Sequence, residues 1–448
     1  MKESGVYIEY GISDYQIFQQ DENGFAKIEI GGRCEPENNQ NDVYVRAVLQ
    51  DYNEVVVPYF KAEMLEGKKW RAAFELPAGG LYRVETILQS WSFRYGLRGD
   101  MALNIGVGDV YVLAGQSNNS GHGHAPMYDP PRLGVHLFRN RNKWDIAAHP
   151  FNETTDTAHS VNREQTNNLN HSPWLAFGRL LMDRLNYPIG LLQTSLSGVN
   201  IDKWDPDDSD NLFTLMVETA RLASNGKVKG VVWFQGCSDA VADRCDQYLG
   251  RFKKLKEAYD EALGLKIPWI TFQINRCAGA ACPVGWPAIR EAQRQAARTM
   301  PGVYVIPTND SNLSDTIHND TAGNLMIGER AARLALSKIY GRDNFYMAPD
   351  VASVSYENGL VRLKLENVRG VLFHQDDVSG FTVADEEGDA GVEKFWVENT
   401  SDIIIKTKRE IAGGFTVRGT QDPHGEKYPI YDNFTRLPML SFSVSCDV

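Results

Sequence analysis

Residues 110–118 read VYVLAGQSN: a short apolar β run, then Gly115, Gln116, Ser117 and Asn118. A serine directly after Gly-x, at the carboxyl end of what reads as a buried parallel strand, sits where open α/β sheets place their reacting groups. Ser117 is therefore the candidate nucleophile. The same Gly/Ser/Asn cluster is also ordinary strand-to-loop punctuation, so the segments on either side decide between the two readings.

From residue 105 to 345, strand and helix patterns alternate. Strands are predicted at 110–114, 189–194, 228–234, 267–274 and 303–307, and helices at 172–185, 211–224, 245–263, 286–299 and 321–340. The first helix opens with Ser172 as cap and Pro173 at the first helical position, then carries Trp174, Phe177, Leu181 and Leu185 at helical spacing. The alternation predicts an α/β domain: a doubly wound parallel sheet of five strands with flanking helices. Residues 1–104 read as strands throughout, with clear alternation at Val43, Val45 and Ala47, and predict an N-terminal β-sandwich domain. Residues 346–448 return to strands and predict a C-terminal β domain. The longest irregular stretch, 118–171, is rich in Asn, His, Asp and Gly and departs from the strand end that carries Ser117, which favours a functional loop.

At 448 residues, with 42% hydrophobic and 23% charged residues, the chain reads as an ordinary globular protein of two or three domains. Its net charge of −12 argues against a nucleic-acid partner, because such binding draws on clusters of Lys and Arg. No apolar run approaches the roughly 18 residues of a membrane span. The start, MKESGVYIEYGISDY, has no apolar signal-like region, so the expectation is a cytoplasmic protein, or a secreted one if a signal has been trimmed away. Six cysteines are too few for a disulfide scaffold and fit a reducing compartment. Neither Cys277 with Cys282 nor Cys237 with Cys245 has the spacing of a zinc site, so these read as buried or loop thiols; neither a metal nor a cofactor is expected.

A serine hydroxyl needs a base, usually His, held in one tautomer by a carboxylate. Of the nine histidines, two stand three residues after an Asp: His159 in DTAH and His318 in DTIH. In a turn, residues at that spacing face each other. His318 follows the last predicted strand and precedes the last helix, so the topology returns it, with Asp315, to the edge that carries Ser117. The plainer reading is a helix-cap Asp and a polar loop His. His159 lies in the long loop, as pocket lining or as a surface residue. Acyl transfer also needs donors for the developing oxyanion. Gly198, in SLSGVNIDKW, offers a backbone N–H and Gln235, in WFQGCSD, a side-chain amide; each is otherwise a turn residue.

GQSN at 115, SGVNIDKW at 197, WFQGCSD at 233 and DTIH at 315, in that order, resemble the successive blocks of SGNH (GDSL-like) hydrolases, most closely the sialate O-acetylesterase-like branch of carbohydrate esterases. The resemblance implies Ser117 as nucleophile, Asp315 and His318 as the rest of a triad, and an oxyanion hole made by the Ser117 N–H, the Gly198 N–H and Gln235. It extends to LPAGGLYRVET upstream and to PIYDNFTRLPMLSF near the end. There are departures: Cys237 stands where the third block usually has Glu, and Ser197, Gly198 and Asp202 replace the usual GG and Glu of the second. Cys237 as the nucleophile is disfavoured, since no His is near it in sequence.

The implied activity is two-step removal of O-acetyl groups from a carbohydrate partner, such as sialic acid or hemicellulose-derived oligosaccharides. Gln116, Asn118, Trp204 and His159 are candidate substrate contacts. Trp174, Trp233, Tyr128 and Trp144 are candidate aromatic walls, with Trp174 and Trp233 read more readily as core. Two other readings stand: a lipid or thioester acyl hydrolase on the same scaffold, which needs an extended apolar channel, and a non-catalytic carbohydrate-binding protein.

Overall fold

Strands that are apolar along their whole length can only be buried on both faces, and the central sheet is built from such strands. The computed structural model describes residues 5–447 apart from 36–40, 91–95, 125–126, 154–155, 162–169, 210, 281, 343–344, 378–379 and 427–428. Six strands run parallel: β1 (Gly96–Gly115, its second half), β2 (Val135–Arg139), β3 (Ile189–Gln193), β4 (Gly230–Phe234), β5 (Trp269–Phe272) and β6 (Val303–Ile306). Their order is β2-β3-β1-β4-β5-β6, with Lys143–Ile146 antiparallel on the outer edge of β2. Five helices cover the two faces: α1 (Trp174–Leu185), α2 (Leu212–Ser224), α3 (Tyr248–Leu263), α4 (Trp286–Thr299) and α5 (Thr321–Lys338). α1 and α5 share one apolar core with the sheet and α2, α3 and α4 the other.

Two sequence expectations are corrected. The sheet has a sixth parallel strand, β2, which lies inside the stretch read as irregular. It escaped notice because it carries His136 and Arg139, whose polar groups are satisfied internally: the Arg139 guanidinium donates to the carbonyls of Pro150, Ile146 and Ala148. Ser172 does not cap α1, since its Oγ is buried without a partner among the described residues and Pro173 holds the cap position.

The strand β1 is 20 residues long and runs through the position, 104/105, at which the sequence suggests a domain boundary. Its first half pairs antiparallel with Gly79–Ser90, and its second half pairs parallel with β3 and β4, so one strand joins the N-terminal strands to the central sheet. Asn104, at φ 57°, sits in the bulge between the two halves. Asn tolerates that left-handed conformation better than most residues. The N-terminal strands form a four-stranded sheet facing the Gly79–Ser90 and Asn41–Leu49 strands across a core of Ile28, Ile30, Val45 and Trp70. After α5 the chain forms two further four-stranded sheets around Leu363, Phe395, Ile405 and Phe442. The Gln273 side chain ties this last part to the central sheet by donating to Ser441 O and accepting from Ser441 N.

His136 fastens the N-terminal segment to β2. Its Nδ1 donates to Tyr15 O at 2.7 Å, and its Nε2 accepts the Gly134 N–H at 3.2 Å. Burial outweighs the Tyr15 carbonyl and lowers its pKa to about 4, against an ordinary value of 6.5. Between those values the unfolded chain binds the extra proton and the folded chain does not, so stability rises with pH. Unfolding free energy, measured by urea titration, is therefore expected to fall by up to about 3 kcal/mol from this residue as pH drops from 6.5 towards 4. His136→Gln should flatten that slope; an unchanged slope would assign it to other groups.

Candidate active site

The polypeptide order places β3 on one side of β1 and β4 on the other, so the loops that follow them separate at the carboxyl end of β1. This is the switch point at which open α/β sheets bind their ligands. Gly115 ends β1 at φ 142°, where a Cβ would meet Phe234 O at 2.3 Å, and the next residues turn into the short helix Ser117–Ser120. Only glycine lets the two strand ends approach this closely before Ser117.

His318 lies in the loop between β6 and α5. Its Nδ1 is 2.7 Å from Asp315 Oδ2 and its Nε2 is 2.8 Å from Ser117 Oγ. A carboxylate only accepts, so the Nδ1 carries the proton, and the Nε2 lone pair accepts from the serine hydroxyl. Asp315 Oδ1 accepts the N–H groups of Ile317 and His318. The cap of α5 is Asp320, which accepts from Gly323 N, so Asp315 is not the helix cap of the plainer reading. Partial burial alone would raise the Asp315 pKa, but the bonds from the His318 ring and from these two N–H groups outweigh it and hold the carboxyl below its ordinary value. Exposure grows along the relay: Ser117 is 4% exposed, the His318 side chain 17% and the Asp315 side chain 44%.

Sequence reasoning missed His122 and Asn275, and gave Asn118 a different role, among the side chains that hold this relay. The His122 ring stacks on the His318 ring with centroids 4.5 Å apart, and its Nε2 is 2.9 Å from Ser197 Oγ. Burial first, and then the neighbouring His318, lower the His122 pKa to about 4, so it is a neutral imidazole at ordinary pH. Asn118 and Asn275 both donate to Ile317 O, and the Asn319 N–H donates to Asn118 Oδ1. These bonds lock the His318 loop to the Ser117 loop. A lone loop His and an isolated Asn275 carry no spacing signal of their own, and Asn118, though part of GQSN, read as a substrate contact rather than as a brace.

Several predicted contacts have other partners. Gln116 is buried, and its Oε1 accepts the N–H groups of Gly236 and Ser238, so it braces the loop after β4. Asn118 is likewise structural. Trp204 is fully buried and Trp144 nearly so, which corrects the expectation that they contact substrate or wall the pocket, whereas Trp174 and Trp233 are fully buried in line with their reading as core; Trp204 packs edge-on against Trp233. Tyr128 is exposed. His159 faces Glu218 of α2, with Nε2 and Oε2 3.7 Å apart. Gly198, at φ 75°, is exposed with open space around it. Both N–H bonds of the Gln235 amide are engaged, with Asp239 Oδ2 at 2.5 Å and Val199 O at 3.3 Å. Burial pushes the Cys237 thiol up to about 12, which leaves no thiolate to act as nucleophile. Cys277 and Cys282 are joined by a disulfide, contrary to the reading of both as free thiols.

Among the described residues, Asp129, His149 and His171 converge closely enough to be tested as a metal site. They do not fit one as arranged. His149 Nδ1 accepts the Ser172 N–H at 3.3 Å, so its proton sits on Nε2 and points at Asp129 Oδ2, 2.9 Å away. A metal at Nε2 requires the opposite tautomer. The guanidinium of Arg179 lies 2.6 Å from Asp129 Oδ1. The cluster is an ion network that pins the loop to α1.

The family described as carbohydrate esterase, sialic acid-specific acetylesterase, matches residues 107–337, more than half of the chain. The chain belongs to this family. Comparison with the curated proteins gives no match. Among solved structures, this esterase is similar to XAC1771, a carbohydrate acetylesterase from Xanthomonas citri, at 18% identity and a TM-score of 0.68, covering 98% of this chain and 99% of that one. That likeness extends the shared fold to the strands on both sides of the central sheet. Two others are similar over 52% of this esterase and 98% of their own chains: a protein from Arabidopsis thaliana, at 23% identity and TM-score 0.44, and NanS, at 15% and 0.41.

Proposed function

We propose that this esterase removes O-acetyl groups from carbohydrates through an acyl-enzyme on Ser117. The observation that carries the reading is the continuous relay from Ser117 Oγ through the His318 ring to Asp315. In the first step His318 Nε2 takes the serine proton while Oγ attacks the acetyl carbonyl. The oxyanion is met by the backbone N–H groups of Ser117 and Gly198. His318 then returns the proton to the departing sugar oxygen. Water repeats the sequence on the acetyl-serine, releasing acetate and restoring the hydroxyl.

Gln235 takes a different part from the one its block position implies. With both amide hydrogens engaged, it anchors Val199, the residue next to Gly198, and so holds the oxyanion loop in place. His122 is stacked on the relay, and Asn118, Asn275 and backbone hold the loop that carries it. So polar a surround suits a sugar with a short acyl group better than a fatty chain.

The test is acetate release from a panel of O-acetylated sialic acids and acetylated plant oligosaccharides, together with acetyl and octanoyl p-nitrophenyl esters. Release from at least one sugar class and preference for acetyl are expected. Octanoyl preference would favour a lipid acyl hydrolase, and sugar binding without acetate release would favour a binding protein.

A further inference from the structure

We propose that this esterase has a second ligand site, for a small polyanion bearing phosphate or carboxylate groups, at the junction of α1, α5 and the C-terminal strands. A cavity of about 610 Å³ there is lined by Arg184, Arg333, Arg342, Arg369 and Arg436, with the rings of Phe345, Tyr346 and Phe434 between them. That volume matches small-molecule sites. Among the described residues no Asp or Glu lines it, although the chain as a whole carries a net charge of −12.

Several arginines elsewhere in the molecule are paired with a carboxylate: Arg330 with Asp310, Arg294 with Asp350 and Arg409 with Asp385. In the cavity only Arg333 has such a partner, Glu329 at 3.3 Å; among the described residues Arg184, Arg342, Arg369 and Arg436 have none. The C-terminal ends of α1 and α5 attract positive charge, which accounts for Arg184 and Arg342. It does not account for Arg369 and Arg436, which lie in loops between the C-terminal strands.

Those two are held in place. The buried Asp432 carboxylate accepts the backbone N–H groups of Arg369, Gly370 and Phe434, which fixes both segments while leaving the guanidinium groups unpaired. Arg369 lies over the Phe434 ring at 5.7 Å and Arg436 over Tyr431 at 5.1 Å. Stacking restrains the guanidinium plane and leaves its N–H edge free for phosphate or carboxylate oxygens. Phe434 is 66% exposed, a flat apolar face beside the charges.

The site is separate from Ser117. The helices that connect parallel strands run back along the sheet, so Arg184 and Leu336, near the ends of α1 and α5, lie towards the amino edge of the strands, and Ser117 lies at the carboxyl edge.

Isothermal titration of the full chain with inorganic tripolyphosphate, ATP and digalacturonate tests the proposal. At least one probe is expected to bind with a dissociation constant below about 1 mM at low ionic strength. Binding should weaken by about tenfold in Arg369→Gln and about a hundredfold in the double variant with Arg436→Gln. Lys69→Gln, an exposed charge on an N-terminal strand, should bind as the parent does, and thermal melting checks that each variant is folded. ATP binding tighter than tripolyphosphate would assign a nucleotide-like source with a role for the rings, and digalacturonate binding tighter than both an acidic saccharide. The proposal is overturned if none of the three binds below about 1 mM, or if the Arg369 and Arg436 variants bind like the parent.

Discussion

Ser117→Ala is expected to lower kcat for acetate release by about a millionfold and to leave the fold intact. The loss is large because the alanine has no oxygen to attack with, and the buried position leaves little room for water to take its place. What remains comes from binding and from the oxyanion donors, which act without the nucleophile. The fold survives because the hydroxyl's bond is to the His318 ring, while Gly115, Gln116 and Asn118 hold the turn through their own contacts. His318→Ala should fall to a similar rate, and the double variant little further, since the two groups serve one proton transfer. Acetate release in single-turnover conditions, with near-ultraviolet circular dichroism as the check on folding, gives the comparison. Retention of more than about one per cent of kcat by Ser117→Ala would place the nucleophile elsewhere.

The elements that recur with a strong period were legible. α4 was predicted at 286–299 and spans Trp286–Thr299; β3, β4, β5 and β6 fall inside their predicted ranges because fully buried parallel strands read as unbroken apolar runs. β2 was not legible, because a buried His and a buried Arg interrupt its pattern and only tertiary partners such as Tyr15 O make them acceptable there. Asp315 and His318 stood out because their contact is local, three residues apart in one turn. The ring of His122, reaching His318 across nearly two hundred residues of chain, belongs to the folded loops alone. Trp204 illustrates the opposite error: a large aromatic residue near a strand end attracts a ligand-binding reading, yet the space between the sheet and α3 needs its volume, and it packs edge-on against Trp233, which stacks on Phe252 there. Gln235 was located at the right strand end, but its amide hydrogens could be assigned only once Asp239 and Val199 were seen to take both.

Asp315→Asn is expected to impair this esterase more than Asp315→Ala does. Both oxygens of Asp315 accept: Oδ1 from two backbone N–H groups and Oδ2 from the His318 ring. Asparagine has one acceptor. If it serves the backbone, the amide NH2 faces His318 Nδ1 and drives the ring proton to Nε2, where it can no longer accept from Ser117; kcat then falls by about ten-thousandfold. If the amide flips, its hydrogens meet the N–H groups of Ile317 and His318, and the loop that carries the base is disturbed. Alanine forces neither outcome. Because the Asp315 side chain is 44% exposed, water can reach Nδ1 and accept its proton, so the productive tautomer persists and the loss is about a hundredfold to a thousandfold. The bonds from the His318 ring and from the Ile317 and His318 N–H groups hold the carboxyl below its ordinary pKa, so it stays ionised as the pH falls towards 4 in the folded enzyme. The acid limb of kcat in the parent should therefore not report the titration of Asp315. Measuring kcat against pH for both variants separates these effects: the asparagine variant should be the slower at every pH. Equal rates for the two, or a faster asparagine variant, would mean that another group selects the His318 tautomer.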